Sequence, residues 1–293
     1  MTTKNPMQLK AFIKRTAAEK NISAQLVMQN YMLERLLERI SLSPYQRNLI
    51  LKGGFLIAAI VGLDTRATMD LDTTLKGLAL THEAIREIFE EIIKVPVMDD
   101  VVFAILNTSD IRMGDDYPGI RVNLRANYPP INVPFTVDVT TGDRITPHEI
   151  EYTFSLMFEN RKIRVMAYNI ETVFAEKLET VISRGIANTR PRDFYDIFIL
   201  WKLRGHELSM DVLKDALEQT AEKRGSREVI KRYDSILSDV LASEQMHGFW
   251  RKYQKDFAYT RDISFEDAIG VARVIIGSLD ICGLRMKPFE FSG

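Results

Sequence analysis

The sequence has few reactive sulfur and imidazole groups and almost no net charge. Its 293 residues include one cysteine, Cys282, which excludes an internal disulfide, and four histidines without zinc-finger or HExxH spacing. The formal net charge is −1, so any polyanion has to be bound by a local patch. There is no run of about 18 apolar residues and no signal peptide, from which we expect a cytoplasmic protein without membrane contact.

Hydrophobic residues make up 46% of the chain, which is enough for a core and suits one large or two modest domains. Periodicity predicts two N-terminal helices, over residues 7–21 and from the cap Ser23, and a further helix starting at Thr81. Strands are predicted over residues 49–52, 68–75, 101–107, 119–128, 133–141 and 161–167, with a turn over 113–119. We therefore expect an α+β protein with a mixed sheet.

The C-terminal part of the chain has a helical pattern throughout. Asn169 is predicted to cap one helix and Pro191 to begin another, and residues 209–282 suggest three or four amphipathic helices. We place the domain boundary near Asn169, with residues 1–168 forming the mixed domain and residues 169–293 the helical one.

The segment 68–75 is the chemically informative part of the first domain. Strand alternation predicts that Met69, Leu71 and Thr73 face the core and that Asp70, Asp72 and Thr74 face outward. The two acids would lie about 6–7 Å apart on one face, which suits two divalent ions of the kind that phosphoryl and nucleotidyl transfer enzymes use. Alternating acids are also common on ordinary solvent-facing strands, so this alternative stays open.

Two further features support a phosphate site. Lys52-Gly53-Gly54 precedes an apolar helix, and glycines allow the backbone and the positive end of that helix to approach an anion, although a plain turn has the same sequence. Asp138 is the lone acid on the polar face of the strand over 133–141. If that strand lies beside the one with Asp70 and Asp72, Asp138 supplies a third carboxylate, as a metal ligand or a general base.

The helical domain adds two charged patterns. Asp193 and Asp196 lie three residues apart and so share one helical face. Lys223, Arg227 and Lys231 are spaced to form a basic stripe, accompanied by Arg224 and Arg232, which would receive an RNA backbone or would simply be a solvated surface.

Four segments in this order, KGGFLIAAIVGLDTRATMDLD, TVDVTTGD, AEKLETVISR and RPRDFYDIFIL, resemble the AbiEii/AbiGii toxin family of nucleotidyltransferases from abortive infection (phage defence) and type IV toxin–antitoxin systems. The resemblance covers residues 48–203. It implies a polymerase-beta-like nucleotidyltransferase core followed by an α-helical domain that completes the active site.

The resemblance also implies roles for individual residues. Asp70, Asp72 and Asp138 would hold two Mg²⁺ ions. The triphosphate of an NTP substrate would be bound by a second set, which comprises Lys52, Gly53, Gly54, Arg66, Thr68, Lys177 and Asp193, with Asp196 supporting catalysis. Relatives more often have a serine and then an acid before these two aspartates, whereas this chain has Thr68-Met69, so we expect a minor ligand to be missing.

By the same resemblance, the acceptor would be an RNA, the 3′ end of tRNA, and the partner would be a cognate antitoxin, a winged-helix regulator of the AbiEi type. Two alternatives stay open on the sequence alone. One is a nucleotidyltransferase that modifies a protein or a small molecule, and the other is a catalytically idle module that binds nucleotide or RNA.

Overall fold

The computed structural model describes residues 5–111 and 119–281. They form two compact units. The first comprises the described residues up to Asp143 together with Glu149–Tyr168, and the second comprises Arg144–His148 and the described residues from Asn169 onward. Within the described residues, no helix combines the length and apolar character that crossing a membrane requires.

The first unit is built on one mixed sheet. Its seven strands are β1 (Leu49–Lys52), β2 (Leu71–Leu75), β3 (Val102–Ile111), β4 (Gly119–Tyr128), β5 (Ile131–Thr141), β6 (Ile150–Ser155) and β7 (Lys162–Ala167). Their spatial order is β3-β4-β5-β2-β1-β7-β6. The β2–β5 and β1–β7 pairs are parallel and the other pairs are antiparallel, so the centre of the sheet joins segments that are distant in sequence.

Four helices complete the first unit: α1 (Pro6–Glu19), α2 (Ala24–Leu42), α3 (Gly53–Val61) and α4 (His82–Lys94). Ser23 caps α2 through its hydroxyl, as predicted, and the helix that was predicted to start at Thr81 begins at His82 with Thr81 as its cap. Both hydroxyl oxygens satisfy N–H groups that have no partner in the first turn. The predicted apolar stripe of α2 is buried, whereas Leu42 at its C-terminal end is exposed.

Helix α2 also buries charges that its apolar pattern does not predict. The fully buried Arg35 forms ion pairs with Glu34, Glu38 and Glu159. Desolvation raises the pKa of Glu34 to about 7, although Arg35 and the Met157 N–H oppose that shift. Charged residues at this depth are tolerated because each has an opposite charge or a hydrogen bond.

The second unit is helical. Its helices are α5 (Ile170–Arg184), α6 (Pro191–Arg204), α7 (Met210–Lys223), α8 (Arg227–Ile230), α9 (Tyr233–Ala242), α10 (Glu244–Asp256) and α11 (Phe265–Ser278), with short 3-10 turns at Gly185–Ala187, Gly205–Glu207 and Ala258–Thr260. Asn169 caps α5 by accepting a hydrogen bond from the Thr172 N–H, and α6 begins at Pro191; both predictions are confirmed.

Several sequence predictions need correction. Strand β6 was not predicted. Strand β2 begins at Leu71, so Met69 lies outside it and is exposed instead of buried. Thr74 shares the polar face of β2 but is buried. Between residue 209 and the end of the described chain there are five helices, one of them with four residues. The predicted turn over 113–119, apart from Gly119, and Cys282 lie outside the described residues.

The predicted basic stripe is also wrong. Helix α7 ends at Lys223, and Gly225 then adopts a φ of +65°, so the three basic positions do not share one helical face. Three of the basic side chains form ion pairs with nearby acids: Arg224 with Glu176 and Glu179, Arg227 with Glu222, and Lys231 with Glu228.

Candidate active site

Four charged residues form one row across the middle of the sheet. Asp72 on β2 is paired with Lys52 on β1 and with Asp138 on β5, and Asp138 is paired in turn with Arg121 on β4. Directly paired residues project to the same face, and neighbouring strands lie about 4.8 Å apart. The prediction that the strand with Asp138 lies beside the strand with Asp72 is therefore confirmed.

Asp70 lies immediately before β2, next to this row. Thr136 Oγ1 donates a hydrogen bond of 3.1 Å to Asp70 Oδ1. Asp70 is exposed and Asp72 is half-buried, and within the described chain neither carboxylate forms an ion pair. Two carboxylates are therefore available to a cationic ligand on one surface of the sheet.

The glycine pair brings the start of α3 against Asp72. The Gly54 N–H donates to Asp72 Oδ2 at 3.4 Å. Gly53 has a φ of +66°, and a Cβ added there would lie 2.7 Å from Asp72 Cγ. A Cβ at Gly54 would lie 2.9 Å from Thr68 Oγ1. Both positions therefore require glycine, one for its conformation and both for space.

The loop from α3 to β2 is fixed by buried polar residues. Arg66 is 4% exposed, lies beside Gly54 and donates to the carbonyl of Ala67. On α2, Gln29 Nε2 donates to the Met69 carbonyl and Asn30 Nδ2 to the Thr68 carbonyl, each at 2.7 Å. The sequence analysis missed these two amides, although polar residues within the apolar stripe of α2 were a usable signal. Contacts of Arg66 and Thr68 with nucleotide stay predictions.

Lys52, which is paired with Asp72, is buried. Its Nζ donates to Asp143 Oδ2 at 2.5 Å and to Thr140 Oγ1 at 2.6 Å. Burial alone raises the pKa of Asp143, but the charge of Lys52 and hydrogen bonds from Lys52, Thr74 and Thr140 outweigh it and hold that pKa below the usual carboxyl range. In the structure the Lys52 ammonium is thus engaged by protein partners, and its contact with nucleotide stays a prediction.

Arg121 is a residue of this surface that the sequence analysis missed. Its Nε and Nη2 donate to Asp138 Oδ1 and Oδ2 at 2.7 and 2.8 Å. This hydrogen bonding to Asp138 raises the pKa of Arg121, and the charges of Asp70 and Asp72 act in the same direction. Both oxygens of Asp138 therefore have a cationic partner, in contrast to Asp70 and Asp72.

The residues on this face fit a divalent cation in part. Asp70 and Asp72 supply two carboxylates, and Mg²⁺ commonly takes one or two carboxylates and completes its shell with phosphate oxygens and water. Within residues 5–111 and 119–281, no three metal-ligating side chains come close enough to form a protein-only site. A site completed by the substrate is therefore the arrangement that these residues suit.

Lys177, Asp193 and Asp196 form a separate cluster in the second unit. Lys177 Nζ lies 2.7 Å from Asp193 Oδ1 and 2.7 Å from Asp196 Oδ2, and Arg190 forms a further ion pair with Asp193. Both acids are fully buried. The predicted common face of the two acids is confirmed, and in the structure it holds Lys177; their roles toward nucleotide stay predictions.

Comparison with known proteins agrees with this geometry. Residues 35–271 match the family model described as "Nucleotidyl transferase AbiEii toxin, Type IV TA system". The chain belongs to the AbiEii nucleotidyltransferase toxin family. It is thus a nucleotidyltransferase with an NTP as substrate, and its type IV toxin–antitoxin family implies an antitoxin partner.

Two solved structures are similar to this AbiEii-family chain. One, a candidate nucleotidyltransferase from H. pylori, is 16% identical with a TM-score of 0.51, and the alignment covers 88% of this chain and 96% of that one. The other, JHP933 from Helicobacter pylori, is 16% identical with a TM-score of 0.49 and coverages of 88% and 92%. No curated protein matches the chain.

Proposed function

We propose that this AbiEii-family chain transfers a nucleoside monophosphate from an NTP to the 3′-terminal hydroxyl of an RNA, specifically tRNA, with Mg²⁺ bound by Asp70 and Asp72. The observation that carries the proposal is the position of these two carboxylates beside the Gly53–Gly54 turn. The acceptor is drawn from the family resemblance. Cytoplasmic location and a winged-helix antitoxin are parts of the same proposal.

In the reaction, the acceptor hydroxyl releases its proton to water and its oxygen forms a bond to the α-phosphorus. The bond between the α-phosphorus and the oxygen that bridges to the β-phosphorus breaks, and pyrophosphate leaves. The Gly54 N–H in the first turn of α3 points at Asp72, and the positive end of this helix would orient phosphate oxygens there. Asp70 and Asp72 would hold the Mg²⁺ ion, which would supply positive charge to the reacting and leaving oxygens. The glycine turn and the paired strands hold these groups in place, so that positioning supplies much of the rate enhancement.

The test is incubation of the full chain with each α-labelled NTP, MgCl₂ and total tRNA. We expect label on tRNA with the wild type and none with Asp72→Ala. Periodate-oxidised tRNA, which lacks the terminal diol, should not be labelled if the 3′ hydroxyl is the acceptor. Label on a protein or on a small molecule would show that this molecule, and not RNA, is the acceptor. NTP binding without transfer to any of these acceptors would contradict the proposal and indicate an idle module.

A further inference from the structure

The ion pair between Arg121 and Asp138 differs from the other charges on the sheet. Asp138 is the only one of the three acids that a described guanidinium engages through both oxygens. Two parallel N–H···O contacts of this kind are among the stronger hydrogen bonds in proteins and fix the plane of the guanidinium. The pair therefore restricts both side chains.

We propose that Asp138 acts as a positioning residue for Arg121, that Arg121 binds phosphate oxygens of the nucleotide, and that the metal is held by Asp70 and Asp72 without Asp138. This inference rests on the proposed function, because it assigns the contacts within that same site. It departs from the prediction above that Asp138 is a metal ligand or general base.

The first argument concerns the available oxygens. The two oxygens of a carboxylate have about four lone-pair sites. A bidentate ion pair occupies two of them and neutralises the charge, so such a carboxylate attracts a metal ion less strongly than a carboxylate without a cationic partner. The side chain of Asp138 is 17% exposed, so the pair is also shielded from water. Asp70 and Asp72 have no cationic partner among the described residues, and the hydrogen bonds from Thr136 and Gly54 each engage a single oxygen.

The second argument concerns the remaining donors of Arg121. A guanidinium has five N–H groups, and one on Nε and one on Nη2 are used by Asp138. The Arg121 side chain is 41% exposed, so its unused edge is open to a ligand. The charges of Asp70 and Asp72 act on it, which places it within electrostatic reach of the carboxylates that would hold the metal.

The third argument is charge balance on the face. Arg121 neutralises Asp138, which leaves the two negative charges of Asp70 and Asp72 for the cation. An NTP that binds to this cation brings its own negative charge to the same surface. A fixed guanidinium at the edge of that surface matches phosphate geometry better than a lysine would, because it presents its donors in one plane.

The test measures Mn²⁺ affinity by electron paramagnetic resonance, with no turnover required. The central variant is the double substitution Arg121→Gln/Asp138→Asn, which leaves the net charge unchanged. The comparison variant is Asp72→Asn, which removes a carboxylate that we propose to bind the metal. We expect the double variant to bind Mn²⁺ within about fivefold of wild type and Asp72→Asn to bind it more than about tenfold more weakly. Thermal unfolding of each variant verifies that it is folded.

Nucleotide affinity provides the second readout. Arg121→Gln should raise the KM for NTP about tenfold with a smaller effect on kcat, and Arg121→Lys should recover part of that loss. A double variant that loses Mn²⁺ affinity as strongly as Asp72→Asn would overturn the inference, as would an unchanged KM in Arg121→Gln. Normal Mn²⁺ binding by Asp72→Asn would instead overturn the proposed metal site, and the inference with it.

Discussion

The chain contains two pairs of closely spaced aspartates whose surroundings are opposite. Asp70 and Asp72 lie at the start of a strand, reach solvent and form no ion pair with a described residue. Asp193 and Asp196 lie on one face of α6, are fully buried and hold Lys177 between them. Identical residue types therefore have different chemical capacities in the two units.

The difference shows that burial decides whether a carboxylate is available to bind a ligand or is held in a structural ion pair. An exposed carboxylate keeps lone pairs for a ligand and contributes little to stability, whereas a buried carboxylate is retained only with its cation, so removing one partner is costly. We therefore expect substitutions at the first pair to affect activity and substitutions at the second cluster to affect folding first. The following predictions test this division in decreasing order of effect.

The largest effect is expected for Asp72→Asn in the transfer assay. Loss of a carboxylate that binds the metal removes several kcal/mol of charge stabilisation, which corresponds to a rate decrease of about a thousandfold. The matched control is Asp110→Asn, an exposed strand acid of the same unit that pairs with His82. If Asp110→Asn lost as much activity as Asp72→Asn, the loss would not be specific to the pair Asp70 and Asp72, and the proposed difference between the two pairs would be contradicted.

The second effect is on stability. Lys177→Met leaves Asp193 and Asp196 buried with one cation fewer, and we expect it to lower the free energy of unfolding by about 3 kcal/mol. Asp70→Asn should change the same quantity by less than about 0.5 kcal/mol. Urea denaturation followed by circular dichroism measures both. Equal losses in the two variants would remove the distinction between the two pairs.

The third prediction concerns Gly53→Ala. The substitution forces a left-handed φ on an alanine and places its Cβ against the Asp72 carboxylate, so we expect a stability loss of about 1–2 kcal/mol and a clear loss of transfer activity. Gly225 has nearly the same φ, +65°, and open space around it. The control Gly225→Ala therefore introduces the same backbone strain without a steric clash. Its activity should remain at the wild-type level. Equal activity losses would show that Asp72 is not the cause.

The smallest effect is a pH dependence of the buried Lys52–Asp143 pair. Because the folded-state pKa of Asp143 is lowered, its stabilising contribution is complete above the ordinary carboxyl pKa of about 3.9 and is lost as the pH falls through the folded value. The difference in unfolding free energy between wild type and Asp143→Asn should be constant from pH 7 to about 5 and then shrink by at most about 1.4 kcal/mol per pH unit below about 4.

A difference between wild type and Asp143→Asn that shrinks already between pH 7 and 5 would contradict this assignment. Urea titrations at half-unit pH steps resolve the two cases. The measurement also separates this pair from the Glu34 carboxyl. Because the pKa of Glu34 is raised, its contribution to the unfolding free energy falls as the pH rises from about 4.5 to 7, whereas the contribution of Asp143 rises with pH.

Strand alternation and glycine patterns were sufficient to predict much of this arrangement. Period-two alternation placed Asp72 and Asp138 on polar faces, and the structure brings them side by side. The cap signals at Ser23 and Asn169 are confirmed because capping is decided by neighbouring residues. Local chemistry of this kind is readable without knowledge of the tertiary fold.

Features that depend on strand register or distant partners were missed. In the structure, the β4–β5 hairpin closes at the Tyr128–Ile131 pair, and this register brings Arg121 opposite Asp138. Because the second strand was predicted to begin at residue 133, the sequence did not determine which residue of β4 faces Asp138. Strand β6 shows only half-buried and exposed positions at the sheet edge, which weakens its pattern. The break at Gly225 was visible and should have excluded the basic stripe.

The parallel pairing of β2 with β5 has a consequence for the order of events during synthesis. Asp70, Asp72 and the glycine turn are made early, whereas Asp138 and Arg121 join them only after the chain has closed a long connection and added a hairpin. Nonlocal pairing of this kind forms slowly compared with local helices. A ribosome-bound chain that ends before β5 therefore contains Arg121 but lacks Asp138, the residue that joins Arg121 to the charged row, and we expect such fragments to be inert.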